Sequence, residues 1–175
     1  MELLDIVDEY GNYTGEVMER EKVHELNLLH WEIAIFIINK NKQLLLQKRS
    51  SNKKNNPNMW GLCAGHVISK EDIDMSALRE AKEELGLKLS LNDLKVLEKM
   101  EVQKRKTNSH LTRFYYYICN KNNFDIEKEE LTEVKWFDID KVIDMINNDD
   151  NSLVLKKDRL YLLNRLKELI LQRGE

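Results

Sequence analysis

Short apolar runs alternate with polar turn segments along most of the chain. Residues 3–7 and 13–18 flank the turn-rich segment 8–12 and predict an N-terminal hairpin. Residues 31–38 are almost entirely apolar, and residues 43–47 follow an Asn-Lys-Asn-Lys turn, which predicts a pair of strands that are at least partly buried. Three more strands are predicted at residues 96–104, 113–119 and 133–137. Together these runs predict a mixed β-sheet.

Helical spacing of apolar positions marks three further segments. Residues 74–85 predict one helix, and residues 141–147 predict a second, short one. Residues 153–171 predict a C-terminal amphipathic helix, whose apolar stripe consists of Leu155, Leu160, Leu163, Leu166 and Ile170. We expect this helix to pack on the core, because its stripe is no richer than a core contact requires. A membrane-surface or partner helix is the alternative.

Length and charge fit one soluble enzyme domain. The 175 residues are enough for a full core, and we expect a single domain over residues 1–175. The 28 basic and 31 acidic side chains are interspersed and leave a net charge of −3, which argues against a surface for a nucleic-acid duplex. Cys63 and Cys119 are too few for a disulfide framework, and there is no leader or membrane-spanning run. We therefore expect a cytoplasmic protein without membrane contact.

Three glutamates in the predicted helix 74–85 share one face. Glu80, Glu83 and Glu84 stand at i, i+3 and i+4, so their like charges repel on a bare helix. A divalent cation among the oxygens would make the arrangement favourable, and oxygen-only ligation suits Mg²⁺ or Mn²⁺. The alternative is an ordinary solvated helix face on which Arg79 pairs with Glu83.

A longer pattern around these glutamates decides between the two interpretations. The pattern starts with a glycine, five residues of any type and a glutamate. Seven further residues precede Arg-Glu, which is followed by an apolar residue, any residue and Glu-Glu. The pattern ends with any residue, a glycine and an apolar residue. The fixed positions are Gly65, Glu71, Arg79, Glu80, Ala81, Glu83, Glu84, Gly86 and Leu87. All of them match the Nudix box, here residues 65–87, and chance does not account for a match over so many positions. The chain therefore resembles the Nudix hydrolase superfamily.

This resemblance implies a role for each box residue. Glu80, Glu83 and Glu84 would be metal ligands, and the Gly65 carbonyl would be a further one. The role of Arg79 would be to orient a glutamate, and that of Glu71 would be to stabilise the loop. Gly86 fits a left-handed position after the helix. The side chains expected to face the core are Met75, Leu78, Ala81 and Leu85.

The resemblance also implies a fold and a reaction. The fold would be an α/β/α sandwich with a mixed central sheet, an N-terminal hairpin extension over residues 1–28 and a C-terminal amphipathic helix. The enzyme would use Mg²⁺ or Mn²⁺ to hydrolyse a small-molecule diphosphate linked to another group. A nucleoside diphosphate or a derivative is the leading substrate class, and prenyl diphosphates come second. The general base would be Glu83 or Glu84, or a glutamate of the loop with Glu127, Glu129 and Glu130.

A second resemblance lies upstream of the box. Residues 44–53 (Leu-Leu-Leu-Gln-Lys-Arg-Ser-Ser-Asn-Lys), with Pro57 and Trp60, are similar to type I isopentenyl-diphosphate isomerases and their hydrolase relatives. That similarity makes Arg49 and Lys53 candidates to hold the substrate diphosphate; a solvated basic loop is the alternative. Isomerase activity is the alternative function.

Two departures from the isomerases favour hydrolysis. Ala64 separates Cys63 from Gly65, whereas the isomerases have their cysteine directly before the Gly-His pair. Where the isomerases carry two glutamates, before the strand at 113–119, this chain has Ser-His-Leu at 109–111. In addition, the box is complete here and degenerate in the isomerases.

The histidines carry less information. His24, His30 and His66 would form a second metal site if the likeness to the isomerases extends that far; ordinary packing or surface polarity is the alternative. His110 lies in segment 104–113, which either contacts a substrate phosphate or is a solvated hairpin tip, and no role is assigned to it. A homodimer is left open, because no residue supports it.

Overall fold

The computed structural model describes residues 2–172. Its nine strands in that range are β1 (Leu3–Val7), β2 (Tyr13–Glu19), β3 (Trp31–Ile38), β4 (Gln43–Arg49), β5 (Trp60–Gly61), β6 (Cys63–His66), β7 (Lys95–Gln103), β8 (His110–Ile118) and β9 (Leu131–Asp138). Its helices there are α1 (Arg20–Glu25), α2 (Ile73–Leu85), α3 (Ile139–Asn147) and α4 (Leu160–Gln172), with a 3₁₀ turn at Lys157–Arg159. Among these residues, no helix combines the length and apolarity needed to cross a membrane.

The strands form two sheets. β1 and β2 pair antiparallel from Leu3↔Glu19 to Val7↔Tyr13, which confirms the N-terminal hairpin. The other seven form one sheet in the order β5-β4-β3-β8-β7, with β6 also paired to β3 and β9 to β4. The β3–β4, β4–β5, β4–β9 and β7–β8 pairs are antiparallel.

One pair of strands makes this sheet mixed. The carbonyl of His30 accepts the Leu111 N–H at 2.9 Å, and that of Ile38 accepts the Cys119 N–H at 2.8 Å. The residue numbers of the donors on β8 and of the acceptors on β3 therefore rise in the same direction, so these two strands run parallel. The mixed sheet is confirmed.

The chain divides into two compact units. The first contains residues 1–35, 64–81 and 88–116, and a small core of Leu4, Ile6 and Val23 in it is flanked by Met18 and Leu28. The second contains residues 36–63, 82–87 and 117–175. Its buried side chains include Leu44, Leu46, Val142, Leu162, Leu163 and Leu166. The single domain over 1–175 stays a prediction.

Two predicted boundaries differ from the structure in ways that affect the site. The C-terminal helix begins at Leu160, not at residue 153. The backbone N–H of Trp60 donates to the Ser152 carbonyl at 2.7 Å, and the backbone carbonyl of Trp60 accepts from the Val154 N–H at 2.8 Å. This pairing holds the backbone before the helix in an extended conformation, and Leu155 is buried outside it. Strand β8 begins at His110, not at residue 113, so His110 lies in a strand and not at a hairpin tip.

The box helix has well-defined ends. Asp72 Oδ1 accepts the Asp74 N–H at 2.9 Å and the Met75 N–H at 3.2 Å, which caps the first turn of α2. At the other end Gly86 has φ +65°, the left-handed conformation expected of it. Ala81 and Leu85 are buried as predicted, but Met75 is 48 % exposed. The prediction for Met75 was wrong, because the buried stripe of the helix runs through Ala77, Ala81 and Leu85 and Met75 lies off it.

Candidate active site

Arg79 organises the first half of the box. Its Nε donates to Glu71 Oε1 at 3.0 Å, and its terminal nitrogens donate to Glu80 Oε1 at 2.7 Å, Glu71 Oε2 at 3.0 Å and the His66 carbonyl at 3.0 Å. The guanidinium therefore joins the box loop to the helix. Arg79 thus contacts Glu80, and its role of orienting this glutamate stays a prediction.

Glu71 is held from two sides. In addition to the Arg79 contacts it accepts the hydroxyl of Ser76, one helical turn into α2. Burial alone would raise the pKa of Glu71, but the hydrogen bonds from Arg79 and Ser76 outweigh burial and lower it. An ionised Glu71 fixes Arg79, and its loop-stabilising role stays a prediction.

Gly65 and Glu80 lie in contact. A Cβ built on Gly65 would overlap the carboxylate of Glu80, so no side chain fits here without displacing it. Glycine allows this close approach of the backbone. Two of the predicted metal-binding groups, the Gly65 backbone and the Glu80 carboxylate, are thus neighbours.

Glu83 and Glu84 follow Glu80 on the same helix but differ in environment. Glu83 is exposed, whereas Glu84 is only 5 % exposed. Gln47 Nε2, on β4, donates to Glu84 Oε2 at 2.8 Å and fixes this buried carboxylate. The sequence pattern did not identify Gln47 as a partner of Glu84. The signal available there was a single polar residue within an apolar strand, and Gln47 is 3 % exposed.

Both candidate phosphate-binding residues contact other protein groups. Lys53 Nζ lies 2.6 Å from Glu130 Oε1, and Arg49 Nε donates to the Asn55 carbonyl at 3.0 Å. Glu130 belongs to the loop considered as an alternative source of the base, and its carboxylate here neutralises a lysine. The Glu127 N–H of that loop donates to the Glu84 carbonyl at 3.2 Å.

The histidines converge in the first unit. The rings of His24, His30 and His66 have centroids 5.1–5.2 Å apart, and one nitrogen from each lies within 4.8 Å of the others. The Nε2 atoms of His24 and His66 are 3.2 Å apart. Burial is the main cause that lowers the pKa of His24 to about 4 and that of His66 to about 3. Neutral imidazole, the form that binds metals, is therefore favoured.

Glu32 and His110 extend this group. Glu32 Oε1 lies 3.4 Å from His66 Nε2 and 3.7 Å from His30 Nε2, and its Oε2 lies 3.2 Å from His110 Nε2. The His110 and His30 rings are 6.1 Å apart. Glu32 was also missed; the available signal was a carboxylate between Trp31 and Ile33 in an otherwise apolar strand. We call these five residues the histidine cluster.

Relatives and solved structures resemble the chain over most of its length. An isopentenyl-diphosphate Delta-isomerase of Pectobacterium atrosepticum is 28 % identical over 139 residues, which cover 78 % of this chain and 76 % of that protein. An uncharacterised Nudix hydrolase of Listeria monocytogenes is 37 % identical over 93 residues, 53 % of this chain and 55 % of that protein. The crystal structure of DR0079 from Deinococcus radiodurans aligns with a TM-score of 0.73 at 21 % identity, covering 94 % of this chain and 98 % of that one.

The fold likeness to DR0079 confirms the α/β Nudix fold, with its N-terminal hairpin and C-terminal helix. A family model described as the NUDIX domain matches residues 28–156. That range is more than half of the chain and includes the whole box, residues 65–87. The chain therefore belongs to the Nudix family and is an enzyme of the Nudix class that resembles isopentenyl-diphosphate isomerases.

Proposed function

We propose that this protein is a divalent-metal-dependent hydrolase that cleaves a diphosphate linked to another group. The observation that carries the proposal is the Arg79 network, which joins Glu71 and Glu80 and sets Glu80 against the Gly65 backbone. A nucleoside diphosphate or a derivative is the proposed substrate class, and it rests on the family resemblance.

The donor set fits Mg²⁺ or Mn²⁺. Glu80, Glu83 and Glu84 offer carboxylate oxygens on one helix, and the Gly65 backbone, whose carbonyl would be the further ligand, approaches Glu80. Like charges at i, i+3 and i+4 are unfavourable without a cation, and the burial of Glu84 increases that cost. When bound, the ion supplies charge neutralisation at the phosphoryl oxygens and a more acidic water.

The chain's own residues position the reactants. Arg79 holds Glu80, and Gln47 holds Glu84, so both carboxylates are fixed before substrate arrives. Glu83 or Glu84 takes the proton of the attacking water; the new P–O bond forms as the bond to the leaving phosphate group breaks. Arg49 and Lys53 bind the diphosphate, and Lys53 exchanges Glu130 for a phosphate oxygen.

Phosphate and nucleotide release from a substrate panel tests the proposal. The panel contains nucleoside diphosphates, nucleotide sugars, dinucleotides and prenyl diphosphates, each with Mg²⁺ or Mn²⁺. We expect Glu83→Gln and Glu84→Gln to lower kcat by about 10²-fold or more. Glu16→Gln, at an exposed position of β2, is the matched control and should retain activity. Full activity in both box variants would refute the site.

One observation favours a second candidate function, isomerisation of isopentenyl diphosphate. His24, His30 and His66 converge as a metal site resembling that of the isomerases would require. However, His110 and not a glutamate occupies the start of β8, and Cys63 is buried and separated from Gly65 by Ala64. Conversion of isopentenyl to dimethylallyl diphosphate with both Mg²⁺ and Zn²⁺, and its loss in Cys63→Ala, would support the isomerase. No conversion by the active hydrolase would eliminate it.

A further inference from the structure

The N-terminal hairpin lies outside the part of the chain that the family model matches, yet it contacts the box. The NUDIX match begins at residue 28, and β1 precedes it. Leu4 of β1 forms an antiparallel bridge with Ile68, and the Leu3 carbonyl accepts the Ser69 N–H at 2.7 Å. Strand β1 is therefore paired with a segment of the box.

Asp5 of the same strand supplies both of its carboxylate oxygens to this segment. Its Oδ1 accepts the Ser69 hydroxyl at 2.7 Å, and its Oδ2 accepts the Lys70 backbone N–H at 3.0 Å. Hydrogen bonds to a carboxylate are stronger than those between neutral groups. Asp5 therefore holds two consecutive residues of the box loop from outside the box.

These two residues form the centre of a tight turn. The Glu71 N–H donates to the Ile68 carbonyl at 3.0 Å, which closes a four-residue turn over residues 68–71. Lys70 has φ +67° in this turn, a conformation that glycine adopts readily and other residues rarely adopt. Lys70 is exposed, so packing of its side chain does not offset the backbone strain. The turn needs support from elsewhere, and the Asp5 carboxylate provides it.

The turn affects the box because Glu71 is its last residue. Glu71 Oε1 accepts from Arg79 Nε at 3.0 Å, and Arg79 in turn donates to Glu80 Oε1 at 2.7 Å. A change in the turn would shift the Glu71 carboxylate and, through Arg79, one of the proposed metal ligands. The box pattern leaves the five positions between Gly65 and Glu71 open, so it does not itself specify any support for this turn.

We propose that Asp5 is a positioning residue of the box. It acts on Glu80 through the turn at residues 68–71 and the Arg79 network. The N-terminal hairpin thereby contributes to the site, although it lies before the matched domain. The inference rests on the proposed function, because it assumes that the box binds a divalent cation.

Hydrogen exchange and Mg²⁺ binding test the two parts of this proposal separately. Exchange of the Lys70 backbone amide, followed by NMR, reports the turn. Calorimetric titration with Mg²⁺, which prefers oxygen donors, reports the box, and Glu84→Gln is the reference for a lost site. We expect Asp5→Ala to speed up exchange of the Lys70 amide by about tenfold or more. It should weaken Mg²⁺ binding by about three- to tenfold, and Asp5→Asn, which keeps one acceptor oxygen, should lie between Asp5→Ala and the wild type.

Two further variants separate positioning from general stability. Thr14→Val removes the hydroxyl contact to the Ile6 carbonyl at 3.1 Å, a hydrogen bond within the hairpin that does not reach the box. It should lower Tm but leave Mg²⁺ affinity unchanged. Lys70→Gly, made in the Asp5→Ala protein, should restore most of the Mg²⁺ affinity, because glycine adopts the φ of this turn without help from a carboxylate. A residue that only stabilises the fold would not be rescued in this way.

Three results would contradict the proposal. Unchanged exchange of the Lys70 amide in Asp5→Ala would overturn the role of Asp5 in the turn. Faster exchange with wild-type Mg²⁺ affinity, or an equal loss of affinity in Thr14→Val, would overturn the positioning role and leave Asp5 as a stabilising contact. Absence of Mg²⁺ binding by the folded wild type would refute the proposed function and with it the link to Glu80, and the exchange rate would still show whether Asp5 holds the turn.

Discussion

The box and the histidine cluster both gather ionisable side chains, but they are built differently. The Arg79, Glu71 and Glu80 contacts join residues of one loop and the helix that follows it. The cluster joins residues from four separate elements, α1, β3, β6 and β8, and the residue just before β3. One site depends on helix spacing and the other on the tertiary arrangement of strands. The two regions meet at His66, whose ring belongs to the cluster and whose carbonyl accepts from Arg79 at 3.0 Å, so damage to one should reach the other chiefly through this residue.

Arg79→Met should have the largest effect on the box. Removing the guanidinium leaves Glu71 and Glu80 without their shared partner, so we expect kcat to fall by about 10²-fold or more. The free energy of unfolding should fall by about 2–3 kcal/mol, because these carboxylates are only 17 % and 12 % exposed. Hydrolysis kinetics and urea unfolding measure the two effects. Lys82→Met, on the exposed side of α2, is the control. Wild-type kcat in Arg79→Met would contradict the role of this network in the box.

Gly65→Ala should have the next largest effect. The new Cβ would overlap the Glu80 carboxylate, so this carboxylate must move and Mg²⁺ affinity should drop by about tenfold or more. Overpacking should cost about 1–3 kcal/mol of stability. Gly61→Ala is the matched control, since a Cβ there meets Val154 at an ordinary 3.5 Å. Calorimetric titration with Mg²⁺ decides the outcome, and equal behaviour of the two alanine variants would remove the argument for Gly65.

The same contrast explains how far the sequence alone could predict the structure. Helix spacing and the box pattern located α2, the glutamates and the left-handed Gly86, because these features depend on neighbours in the chain. Glu32 and Gln47 could not be assigned, because their partners His110 and Glu84 are distant in sequence and only the tertiary fold brings them near. The early start of β8 had the same cause: His110 joins the strand because Leu111 pairs with the His30 carbonyl.

Gln47→Leu should have a moderate effect on the box. It removes the donor to Glu84 and leaves a buried carboxylate with one hydrogen bond fewer, at a cost of about 1–3 kcal/mol. We expect kcat to fall about tenfold at saturating Mg²⁺, because Glu84 is no longer held in place. Gln172→Leu, at the exposed end of α4, provides the control. Unchanged kcat with lowered stability would show that Gln47 only packs the strand.

The smallest effect is the pH dependence of stability in the metal-free protein, and it separates the two regions by sign and range. The pKa of Glu71 is lowered below its usual 4.5, so its contribution is complete above pH 4.5 and is lost as pH falls further. The pKa of His24 and of His66 drops from 6.5 to about 4 and about 3, so unfolding already takes up protons below pH 6.5. Urea midpoints should therefore decrease between pH 6.5 and 5 in the wild type and less in His24→Asn, while Glu71→Gln keeps the wild-type slope there. The assignment of this acid sensitivity to the histidine cluster would be wrong if the pH dependence of the urea midpoint between pH 6.5 and 5 changed in Glu71→Gln and not in His24→Asn.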